Sequence, residues 1–161
     1  MSLADASVAD TAADGEIVTV SARPTRTRGR FVVSAGRNHL VSDTRASIGG
    51  PGEAITAGDL LLSALASCAL ALIHEHAETL GAVLEDVAVE ASFQRNPDDP
   101  TRYRSIRIAV TVDGVDRTTA AALVQHFADR CPIYNTLRRG SDGNVTVALA
   151  EQPRSPTSVL T

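Results

Sequence analysis

The sequence has little of several residue types that would point directly to a function. Tryptophan is absent, aromatic residues make up 3% of the 161 residues, and there are only two cysteines. Alanine, valine and leucine must therefore build the core. Two cysteines cannot form the multi-bridge framework of a small secreted protein. The formal net charge of −4, together with so few aromatic residues, argues against a nucleic-acid-binding protein.

Long hydrophobic runs are also lacking. The longest, at residues 60–73, is interrupted by two serines and followed by His74, Glu75 and His76. It falls short of the roughly 18 apolar residues that a membrane span requires. The first 16 residues have neither a basic start nor an apolar centre, so no signal peptide is expected. We therefore expect a cytoplasmic protein with no membrane partner, whose thiols are free, metal-bound or redox-active rather than permanently bridged.

The length fits a single domain. Residues 1–15 are polar and rich in alanine and aspartate, which favours disorder. Residues 151–161 contain two prolines and are expected to form a loose tail. We therefore place one folded domain at residues 16–150.

The pattern of alternation and turn residues predicts an α+β fold. Helical patterns at 59–80 and about 118–130 predict two helices, the first preceded by Thr56 as N-cap and ended by Gly81, the second ended by Pro132. Alternating patterns predict strands at 16–22, 31–34, 39–42, 83–93, 103–112 and 145–149. This order lacks the regular strand–helix alternation of a doubly wound fold. Because residues 60–73 are apolar almost all round, the first helix is expected to be a buried central helix.

Cys68 lies at the end of the most apolar stretch, GDLLLSALASC. A lone cysteine on an apolar helix is usually a small packing residue. A redox role needs a second thiol, and Cys131 offers one in DRCPI, where a helix gives way to proline. Their separation of 63 residues fits no CxxC zinc pattern. In a peroxidase, Cys68 would attack the peroxide and Cys131 would condense with the resulting sulfenic acid.

Such a reaction requires a positive charge near Cys68. Only the thiolate attacks well, and apolar surroundings raise the pKa of a thiol from roughly 8.5. Cys68 is too far along its helix to be helped by the helix N-terminus, whereas Asp59 could hold an arginine in a charge-assisted pair. The arginines upstream are Arg23, Arg26, Arg28, Arg30, Arg37 and Arg45. Without a second motif, they are equally compatible with a solvated basic surface.

Three segments in this order resemble the OsmC/Ohr family of thiol-dependent hydroperoxide reductases, in its OsmC-like branch. They are GGPGEAITAGDLLLSALASCALALIHEHAETLG at 49–81, LEDVAVEASF at 84–93 and RCPIYNTL at 130–137. The resemblance covers about residues 16–149. It implies two long helices packed on antiparallel sheets of an intertwined homodimer, with active sites at the subunit interface.

The resemblance also implies roles for particular residues. Cys68 would be the peroxidatic cysteine and Cys131 the resolving one. An arginine from the N-terminal region would polarise the peroxide; counting back from the Gly-Gly turn favours Arg28, with Arg30 and Arg37 as alternatives. The family usually has glutamate where this chain has Asp59, so Glu53 is an alternative partner for the arginine. Tyr134, near Cys131, is a candidate for lining the pocket.

No cofactor is implied, and a metal site is not expected. His74 and His76 are two residues apart and point to different sides of a helix, and His74 with Glu78 supplies only two ligands.

Two functions follow. The first is an organic hydroperoxide reductase, regenerated by an external dithiol such as a lipoylated protein, that prefers alkyl or fatty-acid peroxides to hydrogen peroxide because Cys68 has apolar neighbours. The second is a non-catalytic OsmC-like dimer that binds a small apolar ligand or acts as an interaction module. The ionisation of Cys68 distinguishes them.

Overall fold

The computed structural model describes residues 18–140 and 145–149. They fall into two compact units, an N-terminal unit up to Thr56 and a C-terminal unit from Ala57 onward. The expected disorder of residues 1–15 and the expected loose tail at 151–161 lie outside the described residues. The boundaries of a single domain at 16–150 stay a prediction.

The N-terminal unit is a three-stranded antiparallel sheet with the order β1–β2–β3. Its strands are β1 (Ser21–Pro24), β2 (Arg30–Ala35) and β3 (Asn38–Asp43), followed by a 3₁₀ turn at Ala46–Ile48. Gly36 connects β2 to β3 with φ of 57°, a conformation that glycine adopts without strain. The second and third predicted strands are confirmed, and the first begins later than predicted.

The N-terminal unit has no buried apolar side chain among residues 18–56. The two buried side chains there are polar, Ser42 and Asp43, at 5% and 2% exposure. Six large hydrophobic side chains of the N-terminal unit are exposed instead, two of them in β3: Val18, Val20, Leu40, Val41, Ile48 and Ile55. A small sheet needs a hydrophobic face packed on something else to be stable. The N-terminal unit therefore lacks a core of its own.

In residues 57–140 and 145–149, the C-terminal unit has three helices and a second three-stranded sheet. The helices are α1 (Ala57–Leu80), α2 (Arg117–Arg130) and α3 (Pro132–Gly140), and the strands are β4 (Asp86–Arg95), β5 (Tyr103–Asp113) and β6 (Val145–Leu149). Strands β4 and β5 pair antiparallel, as predicted for a hairpin, whereas β5 and β6 pair parallel. The sheet is therefore mixed, and the α+β class is confirmed.

The core of this unit is formed by one stripe of α1 together with β5 and α2. Leu65, Ala69, Ile73 and Ala77 recur every four residues along α1 and are buried. They join a cluster with the inward side chains Ile106, Ile108, Val110 and Val112 of β5 and Ala120, Leu123 and Phe127 of α2. This spacing places the four α1 residues on one face of the helix, which the cluster covers.

The sequence argument against a membrane span considered only the apolar run at residues 60–73. Helix α1 is longer than this run, at Ala57–Leu80. Its best 18-residue window has a mean hydropathy of 1.7, because the two serines that interrupt it are only weakly polar. It is the one helix in the described ranges that is long and apolar enough to cross a membrane. The core helix of a soluble protein meets the same criteria, so this observation is weak evidence for a span.

The helix ends follow local chemistry. Gly81 ends α1 with φ of 64°, and the N–H of Ala82 donates to the carbonyl of Ala77 at 2.9 Å, a C-terminal cap as predicted. Asp116 caps α2 by accepting two backbone N–H groups. Pro132 does follow the end of α2, but it also begins α3, which the sequence analysis missed. Proline suits the first position of a helix, where the N–H has no partner within the helix.

Candidate active site

The centre of the candidate site is a pair of sulfur atoms. Cys68 lies on α1, about three turns from its start, next to the buried Ala69. Cys131 lies between α2 and α3 and is completely buried, whereas Cys68 is half-buried. Both thiols are free, and their Sγ atoms are 2.7 Å apart in a thiol hydrogen bond. Because a disulfide bond is about 2.0 Å long, a small closure would join them.

Cys131 is positioned by two helices at once. Its N–H donates to the carbonyl of Phe127 at 2.9 Å and so ends α2. Its carbonyl accepts the N–H of Asn135 at 3.0 Å, and its Sγ accepts the N–H of Tyr134 at 3.3 Å. The second pair of contacts is the arrangement of an N-cap residue, whose side chain accepts a backbone N–H of the first turn. The thiol of Cys131 therefore lies at the positive end of α3.

Two side chains of α3 hold this junction in place. The Nδ2 of Asn135 donates to the carbonyls of Ala128 at 3.0 Å and Cys131 at 2.9 Å. The ring of Tyr134 is 6% exposed and packs against Phe127, with 5.5 Å between ring centroids. Tyr134, proposed from the sequence to line a pocket, thus lies in the core beside Cys131. Asn135 was missed, since α3 itself was not predicted.

The electrostatic setting of Cys68 disfavours its thiolate. Burial, the hydrogen bond with Cys131 and the charge of Cys131, in this order, raise the pKa of Cys68 to about 12. Removing a thiolate from water costs free energy, and a second negative charge in contact with it costs more. The reduced chain therefore holds Cys68 as a neutral thiol at neutral pH. A reaction at this sulfur needs a group that takes its proton.

In the N-terminal unit, Arg30 is held by two carboxylates. Its Nε and Nη2 donate to the two oxygens of Asp43, each at 2.8 Å, and Nη2 also donates to Glu53 at 2.7 Å. Asp43 further accepts the backbone N–H groups of Glu53 and Ala54, each at 3.0 Å. The hydrogen bond from Arg30 holds the pKa of Asp43 well below its usual range, and the same bond raises the pKa of Arg30.

The other predicted site residues of this unit have different surroundings. The guanidinium of Arg28 lies over the Gly49 turn, where an added Cβ would be 3.8 Å from its Nη2. Arg37 lies in the β2–β3 turn, at the opposite end of the hairpin from Arg28. Within residues 18–56, the salt bridges are those of Arg30 alone. Asp59 is exposed in the first turn of α1, and its pairing with an arginine stays a prediction.

Asp43 is a site residue that the sequence analysis missed. It lies directly opposite Arg30 in the register of β2 and β3. Pairing the two predicted strands around the Gly36 turn and extending each by a residue would have placed this acid and this base side by side. The polar end of α1 also has a contact that was not foreseen: His76 stacks on His126 of α2, with ring centroids 4.0 Å apart.

Comparison with known proteins identifies the family. The model of the OsmC-like protein family matches residues 50–146, which include both cysteines. The chain belongs to the OsmC-like family. This result confirms the resemblance that the three sequence segments indicated. A comparison with curated protein sequences gives no significant match.

Solved structures of other proteins have a fold similar to that of this OsmC-like protein. An organic hydroperoxide resistance protein OsmC from Legionella pneumophila is 26% identical, with a TM-score of 0.61 over 83% of this chain and 95% of that one. An OsmC-like protein from Mycoplasma pneumoniae is 18% identical, with a TM-score of 0.69 over 84% and 99%. The organic hydroperoxide resistance protein OhrB of Bacillus subtilis is 19% identical, with a TM-score of 0.60 over 85% and 98%.

The geometry of the OsmC-like protein brings together some of the predicted residues within each unit. Cys68, Cys131 and Tyr134 lie together in the C-terminal unit, and Arg30 and Glu53 lie together in the N-terminal unit. The first group offers a dithiol that can close into a disulfide. The second group offers a guanidinium fixed by carboxylates.

Proposed function

We propose that this OsmC-like protein is a thiol-dependent peroxidase that reduces organic hydroperoxides to alcohols. The observation that carries the proposal is the 2.7 Å contact between Sγ of Cys68 and Sγ of Cys131. Two thiols that are 63 residues apart in the sequence meet here, and a pair that can close into a disulfide can donate two electrons. Structural relatives named for organic hydroperoxide resistance support the same activity.

The exposure of the two sulfurs assigns their roles in the reaction. Cys68 is half-buried and Cys131 is completely buried, so the peroxide reaches Cys68 first. Cys68 attacks the terminal peroxide oxygen, the alcohol leaves, and Cys68 becomes a sulfenic acid. Cys131 then attacks the sulfur of Cys68, water leaves, and a disulfide forms. An external dithiol, such as a lipoylated protein, reduces this disulfide in a reducing cytoplasm.

The charge balance of the N-terminal unit favours Arg28 as the guanidinium that polarises the peroxide. Arg30 faces two carboxylates, so the cluster of Arg30, Asp43 and Glu53 is formally negative and offers no net positive charge. Arg28 makes no ion pair within residues 18–56. Arg28→Met should therefore slow peroxide reduction without loss of stability, whereas Arg30→Met should lower the melting temperature.

The chain acts as a homodimer. The sheet β1–β3 has no buried apolar side chain among residues 18–56, although Leu40, Val41 and Ile55 are more than a third exposed. Such a sheet needs a hydrophobic partner surface. A second copy of the chain supplies one in the assembly that the family resemblance implies. Sedimentation equilibrium at micromolar concentration should give twice the monomer mass of 16.8 kDa, and a monomer would contradict this assignment.

The substrates are apolar hydroperoxides. Cys68 lies on an apolar stretch of α1, where Leu61, Leu62 and Leu72 are apolar side chains that are only partly buried. These neighbours stabilise an alkyl group and offer little to a small polar peroxide. Cumene hydroperoxide should accordingly be consumed faster than hydrogen peroxide.

The decisive experiment measures consumption of cumene hydroperoxide in the presence of a dithiol. The wild type should turn over repeatedly, and Cys68→Ser should be inactive. Without the dithiol, Cys131→Ser should release one equivalent of alcohol and stop; with it, this variant should turn over more slowly than the wild type, because its sulfenic acid cannot form the Cys68–Cys131 disulfide. Equal turnover by the wild type and Cys68→Ser would reject the proposal, as would the absence of any alcohol in the wild-type reaction.

A second candidate function is a non-catalytic dimer that binds a small apolar ligand. The raised pKa of Cys68, about 12, favours this candidate because a neutral thiol is a poor nucleophile. The same assay separates the two functions. A binding module would consume no hydroperoxide, and its Cys68 would not become a sulfenic acid.

A further inference from the structure

The Cys68–Cys131 pair is a reduced dithiol in which both sulfurs carry a proton. The Sγ–H of Cys131 donates to Sγ of Cys68 at 2.7 Å, so Cys131 is a neutral thiol in this contact. Burial, followed by the contact with Cys131, raises the pKa of Cys68 to about 12, so Cys68 is also neutral at neutral pH. A ligand of this pair must therefore react with two neutral thiols.

Metal cations do not suit a neutral dithiol. They bind cysteine as the thiolate, so both protons would have to leave before a cation could bind. Zinc also requires four ligands, and residues 18–140 and 145–149 contain no group of three or more His, Cys, Asp or Glu side chains that could hold a metal ion. A ligand that brings its own proton acceptor fits the pair better.

We infer that the reduced Cys68–Cys131 pair is a binding site for trivalent arsenic, supplied as an arsonous acid, R–As(OH)₂. Each thiol gives its proton to one hydroxyl of the arsonous acid and forms an As–S bond, and each hydroxyl leaves as water. Two S–H and two As–O bonds break, and two As–S and two O–H bonds form. No atom changes its oxidation state, so the reaction needs no oxidant or reductant.

The distance between the two sulfurs suits a pyramidal arsenic atom. Trivalent arsenic keeps a lone pair, so its two sulfur ligands lie on the same side of it and close to each other. Sulfurs that are 2.7 Å apart need to separate only slightly to bind it. The arsenic atom then lies outside the line that joins them, on the exposed side of the half-buried Cys68. The buried Cys131 is reached through this neighbour.

Both sulfurs are held in place before a ligand binds. Cys68 lies on α1, and Cys131 lies at the junction of α2 and α3, which Asn135 fixes through the carbonyls of Ala128 and Cys131. Because two fixed groups lose little conformational entropy on binding, the site is pre-organised. Once one As–S bond has formed, the second forms within the same molecule, which strengthens binding beyond that of a single thiol.

Binding should depend on the redox state of the pair. A Cys68–Cys131 disulfide has no S–H group to donate a proton, so the oxidised chain has no site for the arsonous acid. Arsenic bound to both sulfurs also keeps them from a hydroperoxide and blocks the proposed peroxidase reaction. The binding reaction uses no peroxide, however, and does not rest on that function.

The test is intact-mass spectrometry of the full chain with phenylarsine oxide, which forms phenylarsonous acid in water. At pH 7, the reduced wild type should gain one phenylarsenic group and lose two hydrogens. An excess of glutathione should leave this adduct in place, whereas 2,3-dimercaptopropanol should remove it, because it offers arsenic an equivalent pair of sulfurs. Absence of the adduct in the reduced wild type would reject the site.

The matched control is the wild type oxidised with diamide, because it keeps every residue and lacks only the two S–H groups. It should form no adduct, and an adduct equal to that of the reduced chain would contradict the inference. Cys68→Ser and Cys131→Ser should each bind at least about 100-fold more weakly, the lower end of the gain from a second linked contact. Binding by either variant as tight as in the wild type would mean that one thiol is enough. The oxidised control remains decisive if Cys131→Ser does not fold.

Consumption of cumene hydroperoxide separates this inference from the proposed function. A chain that forms the adduct but consumes no hydroperoxide would confirm the arsenic site and reject the peroxidase. A chain that consumes hydroperoxide but forms no adduct would reject the arsenic site alone.

Discussion

Replacing Cys131 with serine should lower the pKa of Cys68. Three causes raise this pKa to about 12, and two of them, the hydrogen bond and the negative charge, come from Cys131. The third, burial, does not depend on Cys131 and remains in the variant. The pKa of Cys68 in Cys131→Ser should therefore fall below about 12 but stay above the ordinary value of 9.0.

The size of the effect makes it easy to measure. A thiol with a pKa of about 12 is about 1% ionised at pH 10, whereas a thiol with the ordinary value would be about 90% ionised. Thiolates absorb in the far ultraviolet, and the absorbance of the two tyrosines can be subtracted with the double variant Cys68→Ser/Cys131→Ser. Between pH 7 and pH 10, the wild type should gain no more thiolate than Cys68→Ser does.

Two results would refute this reasoning. One is a wild-type signal at pH 10 that exceeds that of Cys68→Ser by a whole thiolate, because Cys68 would then ionise normally. The other is a pKa of Cys68 in Cys131→Ser as high as in the wild type. The second result would mean that burial alone sets the pKa, and that the neighbouring sulfur has little electrostatic effect.

Three further predictions concern the fold. Leu65→Ala should lower the free energy of unfolding by about 3 kcal/mol in a denaturant titration, since the side chain is completely buried in the core. Asp116→Ala should lower the melting temperature by about 2–4 °C, since α2 loses the cap that accepts two N–H groups. Because Arg30 holds the pKa of Asp43 below its unfolded value of about 4, the stabilising pair is intact above that pH and is lost as the pH falls further. The melting temperature of the wild type should therefore exceed that of Asp43→Asn at pH 6 and approach it near pH 2.

Most of the fold could be predicted from the sequence because its elements carry local signals. Alternation over residues 103–112 marks β5, and Gly81 marks the end of α1. The missed helix α3 illustrates the limit of such signals. Proline ends one helix and begins another, and the sequence distinguishes the two only if the following residues are tested for a new helix. The parallel pairing of β6 with β5 is a long-range contact and has no local signal.

The part of the candidate site that contains the two cysteines could be predicted from the sequence. The ion pair between Arg30 and Asp43 could not, because it depends on the register between β2 and β3. The Cys68–Cys131 pair was a hypothesis from the two cysteines themselves, to which the family segments added roles, and the structure places these sulfurs in contact. The ion pair of Arg30 was not predicted, because Asp43 was assigned neither to a strand nor to the site. Its burial at 2% exposure is explained by four hydrogen bonds, two from Arg30 and two from backbone N–H groups.

The start of the short helix α3 fixes where the sulfur of Cys131 lies. Moving Cys131 by one residue along the chain would remove its sulfur from the N-cap position and from the N–H of Tyr134. Proline at position 132 favours a helix that begins at that point, because its backbone is already suited to the first turn. The half-buried sulfur of Cys68 meets its partner sulfur at 2.7 Å, and the position of that partner is set by where the next helix starts.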